Sequence, residues 1–168
     1  MAVTTTVSLT ANVSHTKVID LGVGTLPLIY APSLIMSDGV AAGQADQLAS
    51  DTRTLTSGSS ETLDLSGGLV DIYGNALTFA RIKVIIIKAA STNLSAINVG
   101  PNSTNGWSTM FGDASDRVKI RPGGLFVMAC TEATGYPVTA ATGDLLFIGN
   151  DGSLGPITFD LVLIGCSV

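Results

Sequence analysis

The sequence predicts an all-β fold, a jelly-roll-like antiparallel β-sandwich carrying an extended N-terminal arm. Three observations point there. From Thr62 onward, short runs of alternating apolar and polar residues recur, each closed by Gly, Pro, Asn or Asp. Thr, Ser, Gly and Val abound while Glu and Lys are scarce, which excludes a coiled coil. The runs number eight or nine, the count that a two-sheet jelly roll uses. An immunoglobulin-like sandwich fits less well, because no Cys–Trp–Cys spacing is present. The boundary predicted between arm and sandwich places residues 1–55 in an arm and irregular segment, and 56–168 in the sandwich.

The arm is read from residues 3–13, where Thr and Ser alternate with apolar side chains as in an extended or edge strand. Residues 26–36 are apolar but interrupted by Pro27 and Pro32, which argues against a long central strand. Residues 41–49 have a composition suited to one or two helical turns. Within the sandwich, Thr62–Leu65 alternates into Ser66-Gly67-Gly68, and Leu69–Tyr73 is closed by Gly74-Asn75. Thr78–Lys88 is the strongest strand. Its second half, Val84-Ile85-Ile86-Ile87, is apolar on both faces and therefore central. Ser95–Val99, Arg117–Arg121, Leu125–Ala129, the Pro-containing edge segment 135–140, Asp144–Ile148 and Ile157–Ile164 complete the series.

Only 12% of the 168 residues are charged, against about 25% in ordinary globular domains. The hydrophobic fraction of 46% excludes wholesale disorder. No apolar run approaches the roughly 20 residues of a spanning helix, and the start shows no basic and apolar signal-peptide pattern, so neither membrane insertion nor secretion is expected. A surface this poor in charge is weakly protected against association. Assembly with neighbours is the expectation that follows.

The net charge of −5 is unevenly spread: −5 over residues 1–80, +4 over 81–121 and −4 over 122–168. A basic middle between acidic ends suits docking between subunits, and Lys83, Lys88, Arg117, Lys119 and Arg121 are candidate assembly contacts. Mixing of these charges once the strands pair is the alternative. The acidic pI and the lack of a basic stripe interleaved with aromatics argue against nucleic-acid binding. Trp107, at the edge of the polar loop 101–106, is a further candidate contact, its alternative being to pack beneath that loop.

Catalytic signatures are lacking. The single histidine, His15, has no metal-ligand or nucleophile partner pattern, and no G-x-S-x-G or phosphate loop occurs. Asp64, Asp71, Asp144 and Asp151 border turns, where carboxylates cap backbone N–H groups. Cys130 and Cys166 lie in strand-like context and are expected as reduced thiols. No cofactor or metal is expected, and no enzymatic activity.

The stretch from Leu63 to Lys83, with Leu63-Asp64-Leu65-Ser66-Gly67-Gly68 and Asp71-Ile72-Tyr73-Gly74-Asn75, resembles small virion proteins of tailed bacteriophages. Gly43-Gln44-Ala45-Asp46, Asp51–Leu55, Arg121–Leu125 and Thr142–Leu146 extend the resemblance over roughly residues 40–168. It implies a structural part of the virion, of capsid decoration or cement type, assembled in the bacterial host cytoplasm. The implied partners are the major capsid protein or another virion protein, and further copies of the chain, with a homotrimer favoured. A receptor- or glycan-binding head or tail fibre component is the alternative on the same scaffold.

Overall fold

The computed structural model describes residues 2–168. The chain begins with β1 (Thr5–Ser8), then a long hairpin of β2 (Ala11–Ile19) and β3 (Gly22–Tyr30), then β4 (Ser33–Met36), which returns to pair with β1. The expected single extended arm is thus two nested antiparallel pairs. The Asp20-Leu21 turn reverses the chain between two β-prone runs, and Pro27 is tolerated because each hairpin strand has an open edge. Residues 41–43 turn without forming a helix, contrary to the helical expectation for 41–49.

β5 (Gln47–Leu55) and β6 (Ser60–Asp64) follow, then the short pair β7 (Leu69–Val70) and β8 (Ala76–Leu77). Next come β9 (Arg81–Ala89), β10 (Ile97–Pro101), β11 (Val118–Ile120), β12 (Leu125–Ala129), β13 (Tyr136–Pro137), β14 (Leu145–Asn150) and β15 (Ile157–Cys166). Two sheets result: β12-β9-β15-β5, with β13 continuing beside β9, and β11-β10-β14-β6. All their pairings are antiparallel. The sandwich therefore starts at Gln47: β5, expected within the arm, pairs along its whole length with β15.

The chain repeatedly crosses between sheets. Of the eight main strands, β5 and β6, β9 and β10, β11 and β12, and β14 and β15 each fall in opposite sheets, at matching positions in the two strand orders. Between the sheets lies the main core. Ile85, Ile87, Phe159, Leu161 and Leu163 come from one side, and Leu63, Ile97, Val99, Leu146 and Ile148 from the other. The outward side chains of the first sheet form a second apolar cluster. Val84 and Ile164, with Ile86 and Val162 beside them, pack against Met36, Ala45 and Val7. This explains why β9 is apolar on both faces: the β1–β4 pair covers the face that the sandwich does not.

A bulge in β9 breaks its alternation. Ile164 pairs with Val84 but Gly165 with Ile82, so Lys83 is the extra residue. The skip returns Ile82 to the same core as Ile85 and Ile87. Gly165 is required opposite, because a Cβ there would collide with the Arg81 carbonyl oxygen and crowd the Phe79 ring.

Candidate functional site

The β2–β3 hairpin is the part of the molecule that its own fold leaves uncovered. Eighteen residues form its two strands, and all but one are exposed. Its register sorts the side chains. Ala11 faces Tyr30, Val13 faces Leu28 and His15 faces Leu26, and these pairs lie on one side. Lys17 and Ile19 continue that side toward the tip, and the other side presents Asn12, Ser14, Thr16 and Thr25 together with the apolar Val18, Val23, Pro27 and Ile29. Leu26 is 71% exposed and Leu28 60%, and the tip adds Val18, Ile19, Leu21 and Val23, all exposed. A two-stranded hairpin alone in water is marginal, and an apolar side on it is stable only when covered.

The hairpin leaves the body at a single point. Leu9 N–H donates to Pro32 O at 3.1 Å, so the entering and leaving chains are fixed side by side. Ser8 and Ser33 hydroxyls meet at 3.2 Å just below. Next to this root, a groove of about 270 Å³ runs between β1 and the edge strand β12 across the outer side of the first sheet. Val7, Leu9, Ile86, Leu125, Val127 and Ile164 line it.

The basic residues singled out from the sequence do not form one surface. Lys83 is fully buried, its Nζ donating to Ala133 O at 3.1 Å, because the bulge turns it under the 131–135 loop. It is no assembly contact. Lys88 shares the outward parity of Val84 and Ile86 on the first sheet and is exposed. Arg117, Lys119 and Arg121 flank the inward Val118 and Ile120 and so lie on the outer side of the other sheet. Two of the three are already engaged. Arg117 sits 5.0 Å over the Phe147 ring and Lys119 is paired with Asp151. Arg121 and Lys88 remain exposed on opposite sides of the sandwich.

Trp107 is likewise no surface anchor. It is fully buried in the main core, edge-on to Phe111 at 6.4 Å, with Nε1 donating to Pro137 O at 2.9 Å. The chain after Gly106 turns inward, Trp107 N–H donating to Leu145 O at 2.9 Å, and the polar loop closes over the ring.

Three of the four carboxylates near turns cap backbone N–H groups, while Asp151 instead accepts from the Asn98 side-chain amide at 2.6 Å. Asp64 accepts from Ser66 N–H at 2.8 Å, Asp144 from Ala141 N–H at 2.6 Å, and Asp71 from Tyr73 and Asn75 N–H at 2.8 and 2.9 Å. The Asn75 amide beside Asp71 holds its carboxyl below the ordinary value, and Lys119 with Asn98 does the same to Asp151. Cys130 and Cys166 are free thiols. Burial pushes the Cys130 thiol up, against the opposing pull of the Lys83 ammonium. Among the described residues, no three His, Cys, Asp or Glu side chains converge as metal ligands, and no helix is long and apolar enough to cross a membrane.

No family model matches the chain, and neither a curated protein nor a solved structure matches it.

The hairpin is the feature that sequence reading did not assemble. The alternation of residues 3–13 and the apolar run 26–36 were both visible, but their pairing across Asp20-Leu21 was not. The usable signal was a turn-forming Asp and Gly22 set between two β-prone runs.

Proposed function

We propose that this chain is a non-enzymatic structural protein of a tailed-phage virion. In this reading it is a capsid decoration or cement protein, oligomeric and most simply trimeric, that binds and stabilises the capsid lattice. Its partners are further copies and the major capsid protein, and its location is the virion, assembled in the bacterial host cytoplasm. The observation that carries the reading is the exposed hairpin, with uncovered apolar side chains on both of its faces, a surface that needs a neighbour. The low charge and the resemblance of residues 40–168 to phage virion proteins support it. The strand order supports it too: four consecutive-strand pairs split between two four-stranded rows match a jelly roll, and we infer that architecture for the sandwich.

The fibre alternative calls for exposed aromatic and polar loop tips, with 102–107 the best candidate, and there Trp107 is buried while residues 103–105 stay exposed. The test is antibody labelling of phage particles by negative-stain microscopy, with capsid stability measured with and without the protein. Label spread over the head, and heads that burst at lower temperature without it, are the expected outcome. Label confined to a tail tip, or heads equally stable without it, would refute the proposal.

A further inference from the structure

We propose that Lys83 and Cys130 form an oxidative cross-link, a covalent bond between the lysine Nζ and the cysteine Sγ, that staples the 130–135 loop to β9. The inference stands on its own geometry and does not depend on the virion reading.

Three observations bring the two groups together. The first is register. β12 pairs with β9 as far as Ala129 opposite Val84, and β13 resumes with Tyr136 opposite Ile82. Cys130 falls directly opposite Lys83, its N–H donating to Lys83 O at 2.9 Å. Residues opposed in this way hold their Cβ atoms about 5 Å apart on one side of the sheet. The second is enclosure. The loop 130–135 arches over the bulge residue: Lys83 is fully buried, and its Nζ donates to Ala133 O at 3.1 Å. Gly135, at φ 56°, closes on the lysine stem, where an added Cβ would stand 3.1 Å from Cδ. Cys130 Sγ accepts from Glu132 N–H in the same loop. Adjacent peptide units, those of Glu132 and Ala133, thus hold both reactive atoms.

The third is chemistry. An ammonium carries three donors, yet among the described residues Nζ makes one hydrogen bond and no ion pair. Burying a charge with so few partners is costly, and the cross-link removes that charge. Cys130 is only partly buried, so a small oxidant reaches Sγ while the lysine stays shielded from water. Hydrogen peroxide supplies the oxidising equivalents. Sγ attacks one peroxide oxygen; the S–O bond forms, the O–O bond breaks and water leaves, giving the sulfenic acid. The Lys83 ammonium releases a proton to solvent, and its lone pair then attacks Sγ. The N–S bond forms, the S–O bond breaks, and hydroxide departs with a second nitrogen proton as water, the condensation that sulfenic acids also undergo with backbone nitrogen. Sulfur is oxidised by two electrons, peroxide is reduced by two, and the neutral chain loses two hydrogen atoms. Burial holds the thiol largely protonated, so the first step is slow and calls for excess peroxide.

The experiment incubates the full chain with excess hydrogen peroxide, digests it with trypsin without reductant and maps the peptides by mass spectrometry. Expected is a peptide pair joined at Lys83 and Cys130, two hydrogens lighter than its parts, uncleaved after Lys83 and separated by dithiothreitol. Cys166→Ser should form it equally, and Cys130→Ser should not form it. The cross-linked chain should unfold at a midpoint roughly 4–16 °C higher, the gain that a covalent link gives a protein of this size. Cys130 oxidised to sulfinic or sulfonic acid with Lys83 free overturns the proposal, as does a Cys130–Cys166 disulfide. An unmodified pair after prolonged exposure, or a link that leaves the midpoint unmoved, overturns it too. None of these outcomes touches capsid labelling, so the two proposals stand or fall separately.

Discussion

Replacing Trp107 by alanine tests whether the loop from Asn102 to Phe111 is held by a core anchor. The indole is fully buried, stands edge-on to Phe111 and donates Nε1–H to Pro137 O. Deleting a buried Trp side chain costs about 3–5 kcal/mol. The lost hydrogen bond is part of that cost, worth about 1 kcal/mol. Pro137 O keeps a second donor, Thr109 Oγ1 at 2.9 Å, so the substitution strands no buried acceptor. The expected loss is therefore mid-range, about 4 kcal/mol, a large share of the ~5–15 kcal/mol that stabilises a domain. At roughly 2–4 °C per kcal/mol for a chain of this size, the midpoint falls by about 8–16 °C. Urea unfolding followed by far-ultraviolet circular dichroism measures it, since the variant lacks the chain's only tryptophan. Trp107→Phe keeps most of the ring and should lose only about 1–2 kcal/mol. A loss below about 1 kcal/mol for Trp107→Ala, or native emission typical of a water-exposed indole, would refute the packing argument and restore Trp107 as a surface contact.

Further outcomes follow from the same geometry. Replacing residues 10–31 by a two-residue turn should leave the monomer's unfolding free energy within ~1 kcal/mol, because the β1–β4 ladder is retained and the hairpin adds nothing to either core; guanidinium titration showing a larger loss would mean that the hairpin packs on its own body. Under native conditions Cys130 should react slowly with a thiol reagent, since burial raises its pKa, and Cys166 only on unfolding, since it is fully buried; simultaneous rapid titration of both thiols contradicts this. Asp71 has a depressed carboxyl pKa in the folded chain, so its contribution to stability is present above the unfolded value and fades as pH falls through the folded one. Asp71→Ala should accordingly be less stable than the parent above about pH 5 and converge with it near pH 2, as read by thermal scans across that range; a constant difference at every pH would remove the carboxylate from the explanation.

How far the sequence could be read depended on whether a signal was local. Leu125–Ala129 is a strand with the expected bounds, because a continuous apolar run opens directly after the turn residues Pro122-Gly123-Gly124. The β9 stretch was legible as central from its apolar run, but its bulge was not. Lys83 looks like an outward residue in an alternating strand, and only the mismatch between Ile164 and Gly165 on another strand turns it inward. For Trp107 both a surface contact and packing beneath the loop were legible, and the second is what the structure has; what fixes the ring, Pro137 O, lies 30 residues away and has no local signal. Charge blocks read along the chain also lost their meaning on folding, since Lys88 and Arg121 end on opposite sides of the sandwich. The roles of Asp64, Asp71 and Asp144 were readable because a carboxylate capping an N–H a few residues away needs no tertiary partner.

The pinned base at Leu9 and Pro32 makes the hairpin an insertion whose two ends enter and leave through one doorway. An inserted module of that kind can be lengthened, shortened or exchanged without retuning the sandwich, because no core side chain belongs to it. Mutational drift in the projecting rod is then answerable only to the surface it meets, while drift in the body is answerable to packing. Two rates of change within one chain are the natural result. They would let the body keep its architecture while its reach is refitted to whatever surface it meets.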